Sequence, residues 1–176
     1  MRKITYGAAC SLDGYLARTD DRVDWLRWSE DVQRITAEYW PRVDVVLMGR
    51  KTYEVARAAG SGAYSGVTNY VLSSTLHDDP EPSVHLVRDE AAAFVRELKN
   101  QAGGEICLMG GGELAQSLFD AGLIDEVGVN IHPVLLGSGK PLFRPLRSQH
   151  TLELIKTELL SGGCIYALYR VVANRA

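Results

Sequence analysis

The fold is decided by one stretch of the chain, VDVVLMGRKTYEVARA at residues 43–58. This stretch passes from a mainly apolar run through Gly49 into a helical pattern, and ICLMGGGELAQSLF at residues 106–119 does the same. Apolar runs of this kind are typical of strands that are covered on both faces. Strands that alternate with helices in this way predict an α/β fold built around a parallel sheet.

The rest of the chain extends the pattern in both directions. It predicts further strands and helices, with strands at residues 4–9, 70–72, 84–87 and 127–134 and helices at 29–40, 52–59, 89–100 and 112–121. Two last strands, at residues 152–160 and 164–172, pair through Gly162 and Gly163. We therefore expect a single domain over residues 1–176, with a mostly parallel sheet and antiparallel C-terminal edge strands.

Composition excludes several classes of protein. The 176 residues carry 19 Lys and Arg against 22 Asp and Glu, a formal charge of −3, and 46% of them are hydrophobic. This balance argues against an intrinsically disordered chain and against a nucleic-acid-binding protein. The three widely spaced cysteines predict buried free thiols, so neither a disulfide nor a metal is expected. We expect neither a signal peptide nor a membrane span, and we expect a cytoplasmic location.

Two junctions, each leading from a strand through glycine into a helix, are the candidate binding features. A helix N-terminus presents unpaired amide groups and the positive end of the helix dipole, which suits a phosphate. At the first junction Arg50, Lys51 and Thr52 add two cations and a hydroxyl, which fit an extra phosphate such as the 2′-phosphate of NADP. Neither junction matches a Walker loop or a Rossmann fingerprint. The residues alone predict a phosphate-bearing ligand, and they leave open that the glycines only make turns.

An ordered series of short motifs carries a family resemblance. The series contains the segments Ala8–Ala9, Ser11–Gly14, Val46–Thr52, Tyr70–Ser74 and Gly110–Gly112. In this order it resembles the dihydrofolate-reductase-like superfamily, and the resemblance implies a three-layer α/β/α architecture. SLDG at residues 11–14 and HPVLLGSGKPLF at 132–143 more specifically resemble the reductase (RibD C-terminal) domain of riboflavin biosynthesis. The similarity runs over essentially the whole chain.

The resemblance implies an NADPH site. The residues that match the family's cofactor positions are Ala9 and Leu16 at the nicotinamide, Gly49, Arg50, Lys51 and Thr52 at the phosphates, Leu72, Ser73, Ser74 and Arg88 at the adenosine, and Gly110, Gly111, Gly112, Glu113 and Leu114 at the pyrophosphate. It also implies a cis peptide bond between Gly110 and Gly111. The family's dimers further imply a homodimer formed through the last two strands, where a long apolar edge strand left bare would be an aggregation hazard.

Candidate residues for substrate and proton transfer are fewer. We expect Trp25 and Tyr53 to line the substrate side, although ordinary packing would also explain both aromatic residues. Asp31 is the candidate proton donor because it lies one turn before the apolar Ile35. Asn130, a polar residue in an apolar run, is the alternative, through a bound water or by contacting substrate.

The reaction expected from the resemblance is hydride transfer from NADPH to a small heterocycle or a ribosylamino-pyrimidine, such as 5-amino-6-(5-phosphoribosylamino)uracil. Two alternatives stay open: dihydrofolate reductase activity and a non-catalytic NADPH-binding paralogue. Folate reductases hold the pterin with a carboxylate in the first long helix, and none of Asp24, Glu30 and Asp31 matches that position cleanly. The zinc deaminase half of the bifunctional riboflavin enzyme has no counterpart in the chain.

Overall fold

The computed structural model describes residues 1–60, 62–77 and 81–172. Its strands are β1 Ile4–Ser11, β2 Tyr15–Ala17, β3 Val43–Gly49, β4 Thr68–Leu72, β5 Val84–Val87, β6 Glu105–Met109, β7 Glu126–His132, β8 Lys140–Pro141, β9 Thr151–Leu159 and β10 Ile165–Val172, and its α-helices are α1 Glu30–Tyr39, α2 Arg50–Ala58, α3 Ala91–Asn100 and α4 Gly112–Asp120. The predicted elements are all present. The short pair β2–β8 and two 3₁₀ helices, Trp40–Arg42 and Ser161–Gly163, were not predicted.

One eight-stranded sheet organises the chain, in the order β5-β4-β3-β6-β1-β7-β10-β9. Every pairing from β5 to β7 is parallel, and β10 pairs antiparallel with both β7 and β9. The predicted mostly parallel sheet with antiparallel C-terminal edge strands is therefore confirmed. Since the carboxyl ends of β1, β3, β4 and β6 meet at one edge, the loops that follow these strands meet there too.

The two faces of the sheet bury different side chains. Ile4, Tyr6 and Leu108 lie in a core cluster with Val95 of α3 and Leu118 of α4. Val46, Met48 and Val71 lie in a second cluster with Tyr53 of α2. Helices therefore cover both faces, which confirms the expected three layers.

Helix α1 is held in a different way from the other helices. It begins where predicted, with the side chain of Ser29 accepting a hydrogen bond from the backbone N–H of Val32 at 3.4 Å. None of its residues is fully buried. A helix without a buried residue leaves open space between itself and the sheet, and this space becomes part of the cleft described below.

Strand β9 forms the exposed edge of the sheet. Large apolar side chains project from it into solvent, with Leu154 53% exposed and Leu159 78% exposed. The three cysteines are free and buried, as predicted. Within the described residues, no helix has the length and apolar character needed to cross a membrane, and no group of His, Cys, Asp or Glu is placed to hold a metal ion.

Candidate cofactor and substrate cleft

A cleft of about 1290 Å³ opens at the carboxyl ends of the parallel strands. Every residue predicted to hold the cofactor lines this cleft: Ala9, Leu16, Gly49, Arg50, Lys51, Thr52, Leu72, Ser73, Ser74, Arg88, Gly110, Gly111, Gly112, Glu113 and Leu114. These residues come from segments far apart in the sequence, and the strand order brings them together. Their role in binding a cofactor stays a prediction.

Two helix N-termini meet on one wall of the cleft. Gly49 precedes α2 and Gly111 precedes α4, and no side chain caps either helix. A Cβ added at Gly111 would lie 3.3 Å from Oγ1 of Thr52, and one added at Gly110 would lie 3.4 Å from it. The two junctions are therefore adjacent across Thr52, and side chains at the glycines would fill the space between them. Uncapped backbone amides that converge on one space can hold the oxygens of a pyrophosphate.

The expected cis peptide bond between Gly110 and Gly111 is absent. In the described part of the chain no peptide bond is cis, so this prediction is wrong. The chain turns from β6 into α4 by positive φ angles instead, 54° at Gly110 and 76° at Gly111. Glycine adopts such angles without steric cost, so two consecutive glycines make the turn with trans peptide bonds.

Positively charged side chains at this end of the cleft are paired with nearby acids. Nη1 of Arg50 lies 2.8 Å from Oε1 of Glu54, and Nζ of Lys51 lies 3.5 Å from Oδ2 of Asp21. Both pairs are partly exposed, and such surface pairs contribute little free energy. The two cations can therefore turn towards a ligand phosphate at low cost. Arg88 is held differently, because its Nη2 donates to the backbone oxygen of Leu76 at 3.0 Å.

The two aromatic residues predicted to contact substrate lie in the protein interior, so both predictions are wrong. Trp25 is 9% exposed and packs edge-on against His132, with ring centroids 5.3 Å apart. Tyr53 is 1% exposed, and its hydroxyl accepts a hydrogen bond from the backbone N–H of Glu81 at 3.1 Å. Neither residue lines the cleft. In the structure Tyr53 lies on the inner face of α2, and this face packs on the sheet.

Asp31 connects α1 to the turn between β9 and β10. Its carboxylate accepts hydrogen bonds from the backbone N–H of Ser161, at 2.8 Å, and from the hydroxyl of the same residue. These bonds lower the pKa of Asp31, so it is ionised at neutral pH. It does not line the cleft. The prediction of Asp31 as proton donor is therefore wrong, because an ionised carboxylate that faces a turn has no proton to give to a ligand.

Asn130 does line the cleft, as expected of a residue that contacts substrate. Its Oδ1 is buried and has no hydrogen-bond partner in the described protein. A buried polar atom is ordinarily paired, so an unpaired oxygen beside a cleft is a candidate ligand contact.

Tyr166 lies beside Asn130 and was not identified from the sequence. The two residues are in register across the β7–β10 pair, and both line the cleft. The hydroxyl of Tyr166 lies over Gly128, 3.3 Å from the position of an added Cβ. Burial raises the pKa of Tyr166, so its hydroxyl stays protonated at neutral pH. The alternation of Tyr166 with Ala167 in the sequence indicates that the two side chains lie on opposite faces of a strand. Only the pairing of β7 with β10 shows that Tyr166 lies next to Asn130.

Comparison with known proteins agrees with this architecture. The fold is that of dihydrofolate reductase: the enzyme from Enterococcus faecalis, solved with NADP(H) and RAB-propyl, superimposes with a TM-score of 0.72 over 96% of each chain, at 14% identity. The chain belongs to the RibD C-terminal domain family, whose model matches residues 2–166. This confirms the family resemblance read from the motifs.

Two relatives are similar along almost their full length. A putative riboflavin biosynthesis protein from Shewanella sp. PV-4 superimposes with a TM-score of 0.82 and 27% identity, covering 98% of this chain and 99% of its own. The uncharacterized protein YwjB of Bacillus subtilis is 33% identical over 159 residues, covering 89% of this chain and 91% of its own. Together with the family, these similarities support a reductase-like function.

Proposed function

We propose that the chain is an NADPH-dependent reductase that transfers a hydride to a small heterocyclic substrate, with a ribosylamino-pyrimidine as the substrate that the family suggests. One observation carries the proposal. A single cleft has two uncapped helix N-termini meeting at Thr52 in one part and an unpaired amide oxygen, that of Asn130, in another. The first part suits a pyrophosphate, and the second suits the polar edge of a substrate.

The residues of the cleft fit the cofactor and the reaction. Bound NADPH would supply a hydride from its reduced nicotinamide. Ala9 and Leu16 offer that ring an apolar wall, and Gly110 and Gly111 leave the backbone accessible to the phosphates. Hydride addition leaves negative charge on the neighbouring heteroatom of the substrate, which must then take up a proton from a side chain or an ordered water. The hydroxyl of Tyr166 can donate there in place of Asp31, or a water held by Asn130 can do so.

Dihydrofolate reductase activity is disfavoured by the cleft side of α1. This side presents Val32, Gln33, Thr36 and Tyr39, none of which is a carboxylate. The three acids considered from the sequence, Asp24, Glu30 and Asp31, do not line the cleft. Because α1 presents no carboxylate to the cleft, it cannot pair there with a protonated pterin, so we expect no turnover of dihydrofolate.

Titration with NADPH tests the proposal, with two glycine variants as a matched pair. Gly111 and Gly122 both have positive φ, so alanine at either position costs about 1–2 kcal/mol of stability. Gly111 lines the cleft and Gly122 does not, and a Cβ at Gly122 would meet no other atom within 4 Å. Gly111→Ala should weaken NADPH binding about tenfold or more relative to Gly122→Ala. Equal affinities of the two variants for NADPH would show that the glycine-led junctions do not support the proposed cofactor site.

A screen of heterocycles then separates an enzyme from a binding protein. NADPH should be consumed, as measured by loss of the reduced-nicotinamide absorbance band, when a reducible pyrimidine or pteridine is added. Binding of NADPH without consumption by any compound would favour the non-catalytic paralogue.

We also propose a homodimer formed through the exposed edge strand β9. The apolar side chains of Leu152, Leu154 and Ile155 are 39%, 53% and 42% exposed there. Natural sheets usually protect such an edge, and a second copy of the chain would cover it.

A further inference from the structure

Helix α1 forms one wall of the cleft without being packed into the core. Val32, Ile35 and Thr36 line the cleft, and no residue of α1 is fully buried. Val32 and Ile35 belong to neither core cluster of the described residues. Most helices in proteins are held in place by the burial of an apolar face. Because α1 buries so little, other contacts must decide where it lies.

The C-terminal end of α1 is its better packed end. Tyr39 and the next residue, Trp40, both pack against the core cluster that contains Val46 and Tyr53. The ring centroids of Trp40 and Tyr64 are 5.2 Å apart. Since apolar contacts fix this end, a movement of the helix pivots here and displaces mainly its N-terminal part.

Four charged side chains connect α1 to β9. Nη2 of Arg34 on α1 is paired with Oε1 of Glu158 on β9, and Nη1 of Arg34 lies 2.9 Å from Oε1 of Glu38. Nζ of Lys156 on β9 lies 3.7 Å from Oε2 of Glu38 and 3.1 Å from Oε2 of Glu158. The four groups therefore form a closed ring, in which each charge has two neighbours of opposite sign. We call Arg34, Glu38, Lys156 and Glu158 the charge ring.

The spacing of the four residues along the chain explains the ring. Arg34 and Glu38 are one helical turn apart, and Lys156 and Glu158 are two residues apart on a strand, so each pair shares a face. Both spacings are roughly 6 Å, which lets the helix pair lie opposite the strand pair. Glu158 is in register with Tyr166, which lines the cleft. The charge ring therefore lies on the α1 side of the sheet, next to the cleft.

The charge ring is exposed enough to depend on the solvent. The side chains of Arg34 and Lys156 are 45% and 43% exposed. Hydrogen bonds from Lys156 and Arg34 lower the pKa of Glu158, so its carboxylate is ionised at neutral pH. An isolated exposed pair contributes little to stability, whereas charges in a network contribute more. Salt weakens such contacts, because the Debye length falls from about 10 Å at 0.1 M to about 3 Å at 1 M.

We infer that α1 is a movable wall of the cleft, pivoting at its C-terminal end, and that the charge ring is the latch that holds it closed against β9. When the ring breaks, the N-terminal part of α1 moves away from the sheet and the cleft widens. The latch thereby sets how often the space beneath α1 is open to a ligand. Its effect on binding rests on the proposed function, whereas the latch itself is a property of the chain without any ligand.

Hydrogen exchange of the ligand-free protein, measured by mass spectrometry, tests the latch. In Glu158→Gln the amides of α1 should exchange about threefold to tenfold faster than in the wild type, because the open state becomes more populated. The amides of the central strand β6 should not change. The matched control is Glu153→Gln, the same substitution on the same strand. Glu153 lies 3.1 Å from Arg170 on β10 and is outside the ring, so its replacement should leave α1 unchanged.

Salt and a double variant show whether the ring acts as a unit. Raising the concentration of NaCl from about 0.1 M to about 1 M should accelerate exchange in α1 of the wild type by a similar factor. Glu158→Gln should lose most of this response, since its ring is already broken. Arg34→Gln combined with Glu158→Gln should exchange hardly faster than Glu158→Gln alone, because both changes remove the same contact.

The outcomes separate the latch from the proposed function. Equal exchange of α1 in the wild type and Glu158→Gln, equal acceleration in Glu153→Gln, or a full salt response in Glu158→Gln would overturn the latch, even if NADPH binds. Selective acceleration of α1 in Glu158→Gln, together with absent NADPH binding in a separate titration, would support the latch and refute the reductase.

Discussion

Replacement of Arg50 by alanine should remove the preference of the protein for NADPH over NADH. Arg50 is the first residue of α2 and lines the cleft beside Thr52, where the positive end of the helix dipole adds to its own charge. NADPH differs from NADH only by the 2′-phosphate, so a contact to that phosphate affects one cofactor and not the other.

The size of the effect follows from what Arg50 gains and what it gives up. A hydrogen bond to a charged group contributes about 1.5–3 kcal/mol. Arg50 is paired with Glu54 one turn later, and a pair of this kind on an exposed helix contributes about 0.3–0.5 kcal/mol. The difference, about 1–2.7 kcal/mol, corresponds to a preference for NADPH of roughly 5–100-fold.

Fluorescence titration of both cofactors against three proteins measures this preference. In Arg50→Ala the affinity for NADPH should fall by the full factor, and the affinity for NADH should hardly change. Glu54→Gln is the matched control, because it frees Arg50 and should strengthen NADPH binding about twofold. Equal losses for NADH and NADPH in Arg50→Ala would refute the assignment of Arg50 to the 2′-phosphate.

Three further predictions concern the acid, the buried histidine and the edge strand. Asp31→Asn should leave the pH profile of turnover unchanged between about pH 5 and pH 8, because the carboxylate faces Ser161 and not the cleft. Loss or displacement of one limb of the profile in this variant would instead identify Asp31 as the proton donor. Burial lowers the pKa of His132 in the folded protein. Below about pH 6.5 the unfolded chain therefore binds more protons than the folded protein does. The free energy of unfolding should fall as the pH drops through the lowered pKa. Urea unfolding at several pH values measures this dependence of the free energy of unfolding on pH. The dependence should be weaker in His132→Phe and unchanged in His77→Asn, because the side chain of His77 is exposed. The same dependence in both variants would contradict the assignment to His132. Light scattering should give the mass of a dimer for the wild type and of a monomer for Leu154→Arg, whereas a wild-type monomer at micromolar concentration would end the dimer proposal.

Local pattern was enough to predict the elements that carry the proposed phosphate-binding end of the cleft. The strand that ends at Gly49 and the one that ends at Met109 are both mainly apolar, and each leads through glycine into a helical pattern. In a parallel sheet the strands run in the same direction, so such junctions must lie at the same edge. This is why residues such as Thr52 and Gly111 could be assigned to one cleft before the strand order was known.

Other side chains could not be placed in this way. Trp25, Tyr53 and Asp31 were judged by their residue type and by their spacing along one element, and all three lie away from the cleft. Helical spacing shows which residues share a face, but it does not show whether that face meets the core, a turn or a cavity. Tyr53 shares the inner face of α2, which meets the core, and Asp31 meets the turn at Ser161.

The sequence by itself determined the alternation of strands and helices, the antiparallel pair at the C-terminus and the glycine-led junctions, because each of these depends on neighbouring residues. Only the tertiary structure decided that Asn130 and Tyr166 lie side by side, and that Gly7 and Gly128 are in register on neighbouring strands. Both results depend on which strands pair and in what register, a choice made by contacts between residues far apart in the chain.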